Sequence, residues 1–250
     1  MKKKNWELAT EHFLNRYINK PWFEGAVLCG SYSTGNNDDF SDIDVTIVAS
    51  DDIKWQEKSN CYVDGFLMEW IINPVSKYEE YMKREDHIIK NMFAYGRVLI
   101  DKNGVVKKLH NKALVALKRK IKPLSAYENA RIKYGLWCKY DELKSQVVAG
   151  LHTDYQYWML LDSLIGSYYK FKCLPEPPTS KIERLYTDCE FRKRYHIAKM
   201  PEKRFIDLVL NVINASSKQN KMDAIDKLYK YVIRVGGGFD IGNWNGKRKL

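Results

Sequence analysis

The sequence predicts two domains of different class: a mixed α/β unit over residues 1–120 and an all-α helical bundle over residues 124–250. Three observations lead there. Short apolar runs bounded by turn residues recur before residue 105, which is the pattern of strands in a small mixed sheet. Beyond residue 125 the apolar spacing becomes helical. The charge also changes sign, because residues 1–104 carry 13 Lys and Arg against 17 Asp and Glu, whereas residues 105–250 carry 29 against 14, within a net charge of +11. A chain of 250 residues is long enough to bury two cores.

Taken in order, residues 5–18 have helical spacing, with Trp6, Ala9, Phe13 and Tyr17 near one face. The run GAVLC, residues 25–29, reads as a strand ending at Gly30, and residues 42–49 as a second strand. A charged loop follows, and the turn Asp64-Gly65 leads into a third strand, FLMEWII, at residues 66–72. Pro74 opens a helix carrying Tyr78, Tyr81 and Met82, and residues 97–100 form a fourth strand closed by the turn DKNG. The segment KRKIKPLS, with Pro123, marks the boundary. Past it lie a long helix over 125–148 and another over 153–171, the latter with Thr153 and Gln156 as a capping box. Shorter helices are predicted near 181–195, 202–215 and 222–234, and Gly236-Gly237-Gly238 stops the last.

Several functional classes find little support. No apolar run approaches the roughly 20 residues needed to span a bilayer, and the basic start MKKK is followed by polar residues where a secretion signal needs an apolar core, so a soluble cytoplasmic protein without a membrane partner is expected. The five cysteines never form a CxxC pair, which points to reduced, buried thiols. The five histidines show no ligand spacing. The run FRKRYH at 191–196 is a short basic cluster of the kind that usually only faces water.

The informative stretch is GSYSTGNNDDFSDIDVTIV, beginning at Gly30. In a strand, residues i and i+2 face the same side, so Asp42 and Asp44 project together while Ile43 and Val45 face away. Two carboxylates side by side need a counter-charge. Gly30 allows a phosphate to approach the backbone, the Ser31 hydroxyl and the turn's N–H groups can donate to it, and the aspartates would hold Mg²⁺ beside it. Glu69 is the sole charged residue of FLMEWII. It supplies a third carboxylate if it faces the same site; the alternative is an edge strand with Glu69 in water.

The pattern G-S-x10-D-x-D, with an acidic residue in an apolar strand 25 positions after Asp44, resembles the nucleotidyltransferase superfamily of DNA polymerase β, particularly its minimal bacterial members. The resemblance implies that Asp42, Asp44 and Glu69 bind two Mg²⁺ ions and that Gly30 and Ser31 hold the phosphates of a nucleoside triphosphate. An N-terminal catalytic unit followed by a helical, acceptor-binding domain is also similar to the antibiotic nucleotidyltransferases. In those relatives a helical-domain carboxylate often serves as general base, and in some of them a second subunit completes the cleft, which would make this chain a homodimer.

The long helix offers a candidate for that base. Positions 127, 130, 134, 137, 141, 144 and 148 share one face, so Asp141 lies on a stripe with Tyr134 and Trp137, and Lys144, one turn on, would reach a phosphate. The alternative is a salt-bridged Asp141–Lys144 pair on an exposed face. Asp162 is the second candidate for the base. The reaction expected is transfer of a nucleoside monophosphate, AMP by this reading, from a nucleoside triphosphate to a hydroxyl of a small acceptor such as an antibiotic, with release of pyrophosphate. A protein or RNA acceptor, as in toxin–antitoxin nucleotidyltransferases, is the alternative, and a nucleotide-binding module without chemistry is the third reading.

Overall fold

The computed structural model describes residues 5–84, 87–197 and 199–246. The chain divides into two compact units, Met1–Arg119 with Arg194–His196, and Lys120–Lys193 with Ile197–Leu250. No helix among the described residues is long and apolar enough to cross a membrane.

The first unit is built on a five-stranded mixed sheet in the order β3-β4-β2-β1-β5. Its strands are β1 (Phe23–Leu28), β2 (Ile43–Ala49), β3 (Glu57–Val63), β4 (Phe66–Pro74) and β5 (Arg97–Asp101). β1 is antiparallel to both β2 and β5, β3 is antiparallel to β4, and β2 runs parallel to β4. Alternation sorts the residues of β2 between two cores. Ile43, Val45, Ile47 and Ala49 pack with Met68, Trp70 and Ile72 of β4 and with Ala9, Phe13 and Leu14 of α1 (Asn5–Leu14). On the other side Val48, Val27 and Cys29 lie with Tyr78 and Met82 of α3 (Val75–Lys83), Phe93 of α4 (His87–Tyr95) and Val106, Leu109 and Ala113 of α5 (Val105–Leu117). Complete burial of a side chain such as Phe13 or Phe93 contributes about 1.5–3 kcal/mol.

The structure differs from the sequence reading at several points. The segment taken for a charged loop contains β3, whose residues alternate between half-buried (Glu57, Ser59, Cys61) and exposed (Lys58, Asn60, Tyr62). α4 and α5 were not anticipated. β2 begins at Ile43, so Asp42 lies just before it, and α1 ends at Leu14 rather than residue 18. Tyr17 nevertheless keeps its ring 5.3 Å from that of Phe13 and 6.4 Å from that of Trp70. The buried-thiol reading holds for Cys29 alone among the five free cysteines.

The second unit is all-helical. It contains α6 (Ala126–Val148), α7 (Asp154–Phe171), α8 (Ile182–Thr187), α9 (Cys189–Arg194, its last residue counted with the first unit), α10 (Lys203–Asn214) and α11 (Lys218–Val235). α7 is its hub, with Leu160, Leu164 and Tyr168 buried and Tyr168 stacked on Phe205 of α10 at 3.6 Å between ring centres. The Tyr157 hydroxyl donates to the Val212 carbonyl at 2.7 Å. The capping box falls at α6, not at α7. Ser125 has extended ψ (158°), its hydroxyl accepts from the Glu128 N–H, and Glu128 returns an acceptor to the Ser125 N–H. Thr153, at ψ 6°, makes no side-chain cap, because only an extended Ncap aims its oxygen back at the first turn. The single helix expected near 181–195 is broken at Asp188 (φ −108°, ψ 105°), whose carboxylate caps α9 through the Phe191 N–H at 2.9 Å.

Candidate functional site

β1 delivers the chain to Cys29, whose N–H donates to the Asp44 carbonyl at 2.9 Å, and Gly30 then opens α2 (Gly30–Thr34). Gly30 adopts φ +63°, the left-handed region that disfavours side chains. It also lies hard against Asp44: a Cβ at residue 30 would come within 1.9 Å of Asp44 Oδ2. Conformation and space therefore both require glycine. The Gly30 carbonyl accepts from the Ser33 hydroxyl at 3.0 Å and from the Thr34 hydroxyl at 3.3 Å, while Ser31 is buried. Burial pushes the neighbouring Cys29 thiol up to about 12, so it stays protonated, 3.5 Å from the Thr46 hydroxyl.

Across the parallel pair β2–β4, Asp44 stands in register with Glu69. Residues in register on neighbouring strands share a face about 4.8 Å apart. Toward the other end of β2 that face is apolar, with Val48 under the helices. Toward its start it becomes polar, through Thr46 to the half-buried Asp44. A cavity of about 270 Å³, lined by Ser50, Asp51, Val75, Glu79 and Lys108 among others, sits at the apolar end of β2, away from the carboxylates.

β4 is an internal strand, so the edge-strand alternative for Glu69 does not hold. Instead Glu69 Oε1 lies 2.7 Å from Nζ of Lys58 on β3. Lys58 is opposite Ile71, and Asn60 is opposite Glu69, so the pair is a diagonal one. The hydrogen bond and charge of Glu69, against slight desolvation, hold the Lys58 ammonium above its ordinary value, and Asp44 and Asp42 add smaller pulls. One lysine therefore feels all three carboxylates. No group of three or more His, Cys, Asp or Glu side chains among the described residues is gathered into a metal-holding arrangement. The donor chemistry still suits Mg²⁺, since all three groups are hard carboxylate oxygens.

The loop before β2 is fastened internally. Asp38 Oδ1 accepts from the Phe40 N–H at 3.1 Å and from the Ser41 hydroxyl at 2.8 Å, and the Asp38 N–H donates to Ser41 Oγ at 2.9 Å. This turn displays Phe40, two residues from Asp42, with 98% of its surface exposed. Burial, then the charges of Asp38, Asp39 and Asp42, raise the pKa of nearby Tyr32, which packs on Trp6.

Asp141 and Lys144 belong to the second unit, where they meet each other at 3.2 Å. Both are about half exposed, at 51% and 46%, and Lys144 also lies 4.9 Å above the Tyr140 ring. Tyr140 stacks on Tyr229 at 4.0 Å and donates to Asp226 at 2.5 Å. Although burial pushes the Asp226 carboxyl up, hydrogen bonds from Lys230 and Tyr140 hold it below its usual range. Asp162, the second candidate for the base, is exposed on α7. Lys58, the charged residue paired with Glu69, is not among the candidates the sequence reading singled out. The signal for Lys58 was present in the alternation of EKSNCYV ahead of the Asp64-Gly65 turn.

No protein-family model matches the chain, and no curated protein does. Among solved structures, it is similar to the crystal structure of a nucleotidyltransferase-like protein from Exiguobacterium sibiricum 255-15. That match has a TM-score of 0.45 and 11% identity, and covers 93% of this chain and 77% of the other. Similarity of this degree says nothing about chemistry, which has to be argued from the residues.

Proposed function

We propose that the chain is a Mg²⁺-dependent nucleotidyltransferase that moves a nucleoside monophosphate, AMP in the first instance, from a nucleoside triphosphate to a hydroxyl of a small acceptor, releasing pyrophosphate. An antibiotic is one such acceptor, and other small hydroxylated molecules are equally open. The observation that carries it is the apposition of a left-handed, side-chain-free Gly30 to Asp44, with Glu69 in register on the next strand. Purely structural sheets gain nothing from two carboxylates in register, since like charges there are destabilising.

In this reading Asp42, Asp44 and Glu69 hold two divalent cations, which when bound neutralise charge on the triphosphate and activate the attacking hydroxyl. Gly30 keeps the backbone clear for phosphate oxygens, and Ser31 holds the turn that follows it. Phe40 offers an exposed ring on which a flat group such as a nucleobase can stack. Residues 1–120 form the catalytic domain and residues 124–250 the acceptor-binding domain. Asp141 receives the acceptor's hydroxyl proton and Lys144 contacts phosphate, which requires their mutual ion pair to open. The excess of basic residues after position 104 favours a second reading, in which the acceptor is RNA or a protein.

Thermal unfolding with ATP, GTP, CTP and UTP, each with and without Mg²⁺, tests the core of the proposal. A rise in Tm that needs both nucleotide and metal is expected, and it should vanish in Asp44→Asn. Absence of any such rise at millimolar nucleotide would leave only a module without this chemistry. Labelled nucleotide transferred to antibiotics, RNA or protein then separates the acceptor classes.

A further inference from the structure

We infer that Lys58 is the resident counter-cation of the carboxylate site and that a divalent cation binds only by taking Glu69 from it, so that this lysine sets the site's metal affinity. The inference rests on the proposal that Asp42, Asp44 and Glu69 hold metal. The geometry carries the rest. Asp44 and Glu69 stand in register on neighbouring strands, a juxtaposition that demands positive charge. Lys58 supplies it from the next strand at 2.7 Å, and its side chain is 67% exposed, against 30% for Glu69. A long, mostly exposed stem can swing clear without disturbing the sheet, while the half-buried Glu69 stays on the face it shares with Asp44. The exchange involves no bond to hydrogen: one cation leaves the Glu69 oxygens and another arrives.

The test uses Mn²⁺ alone on the full-length chain, with affinity read from the electron paramagnetic resonance of free Mn²⁺ and stability read separately from urea unfolding. Lys58→Met keeps the stem and removes the charge. It should bind Mn²⁺ about two- to fivefold more tightly than the unaltered chain, the range expected when an exposed ion pair no longer competes. Lys58→Arg should stay near the unaltered value. Lys20→Met, which removes one exposed charge before the far end of β1, should leave the affinity unchanged. Equal or weaker binding by Lys58→Met overturns the inference and leaves the carboxylate reading standing. Equal tightening by Lys20→Met overturns it too, because the effect would then be net charge alone. No Mn²⁺ binding by any of these proteins removes the carboxylate reading itself, and the inference with it.

Discussion

Two lysine–carboxylate pairs in this protein look alike by distance and differ in what surrounds them. Lys58–Glu69 spans 2.7 Å and Lys144–Asp141 spans 3.2 Å. The helical pair is an i,i+3 contact made within one turn of α6, and the nearby carboxylate that also feels Lys144, Asp226, has its own partner in Lys230 at 2.7 Å. The sheet pair joins two strands and has a second carboxylate, Asp44, in register beside it. Its lysine is acted on by three carboxylates, Glu69 first and then Asp44 and Asp42. An ion pair by itself therefore says little; the charges that stand around it are what separate the two.

The strongest way to break the contrast is Asp44→Asn, which makes the sheet pair as self-contained as the helical one. Metal-dependent nucleotide binding should be abolished, while urea unfolding shows stability unchanged or raised by up to about 1 kcal/mol, because a like-charge neighbour has gone. Asp141→Asn sharpens the contrast from the other side. Labelled-nucleotide transfer should fall about 10²- to 10⁴-fold if Asp141 accepts the proton, with Mn²⁺ affinity unaffected; normal turnover would return Asp141 to the role of a surface partner. Gly30→Ala tests the crowding against Asp44. Positive φ and the 1.9 Å approach together predict a loss of about 1–3 kcal/mol in urea unfolding, accompanied by weakened Mn²⁺ binding. Lys144→Met should have the smallest effect, within about 0.5 kcal/mol on stability and none on Mn²⁺ affinity, as expected of an exposed helical pair.

Much of the sheet was legible in the sequence for a local reason. β1, β2 and β4 are apolar, β-branched and bounded by glycine, proline or aspartate, so each declares itself within its own residues. β3 does not, because only one of its faces meets the core, and that face carries Glu57, Ser59 and Cys61 rather than large apolar groups. Its alternation is present in EKSNCYV, but its partner β4, and so the place of Lys58, is an interaction that no local window can reveal. The same limit governs the site. That Asp44 and Glu69 share a face followed from alternation and from an isolated charge in an apolar strand, whereas the orientation of Glu69 depended on Lys58, in the strand that went unread. At the helix caps the residue types at Ser125 and Thr153 are equally suitable, and backbone ψ decides between them.

The place of Lys58 has another consequence. β3 is an outer strand of the sheet, and an outer strand offers unused backbone donors and acceptors to which a stray polypeptide could anneal. A long charged side chain on such a strand makes that docking unfavourable. One ammonium group thus serves two ends, balancing acidic neighbours inward and discouraging accretion outward at the β3 edge of the sheet.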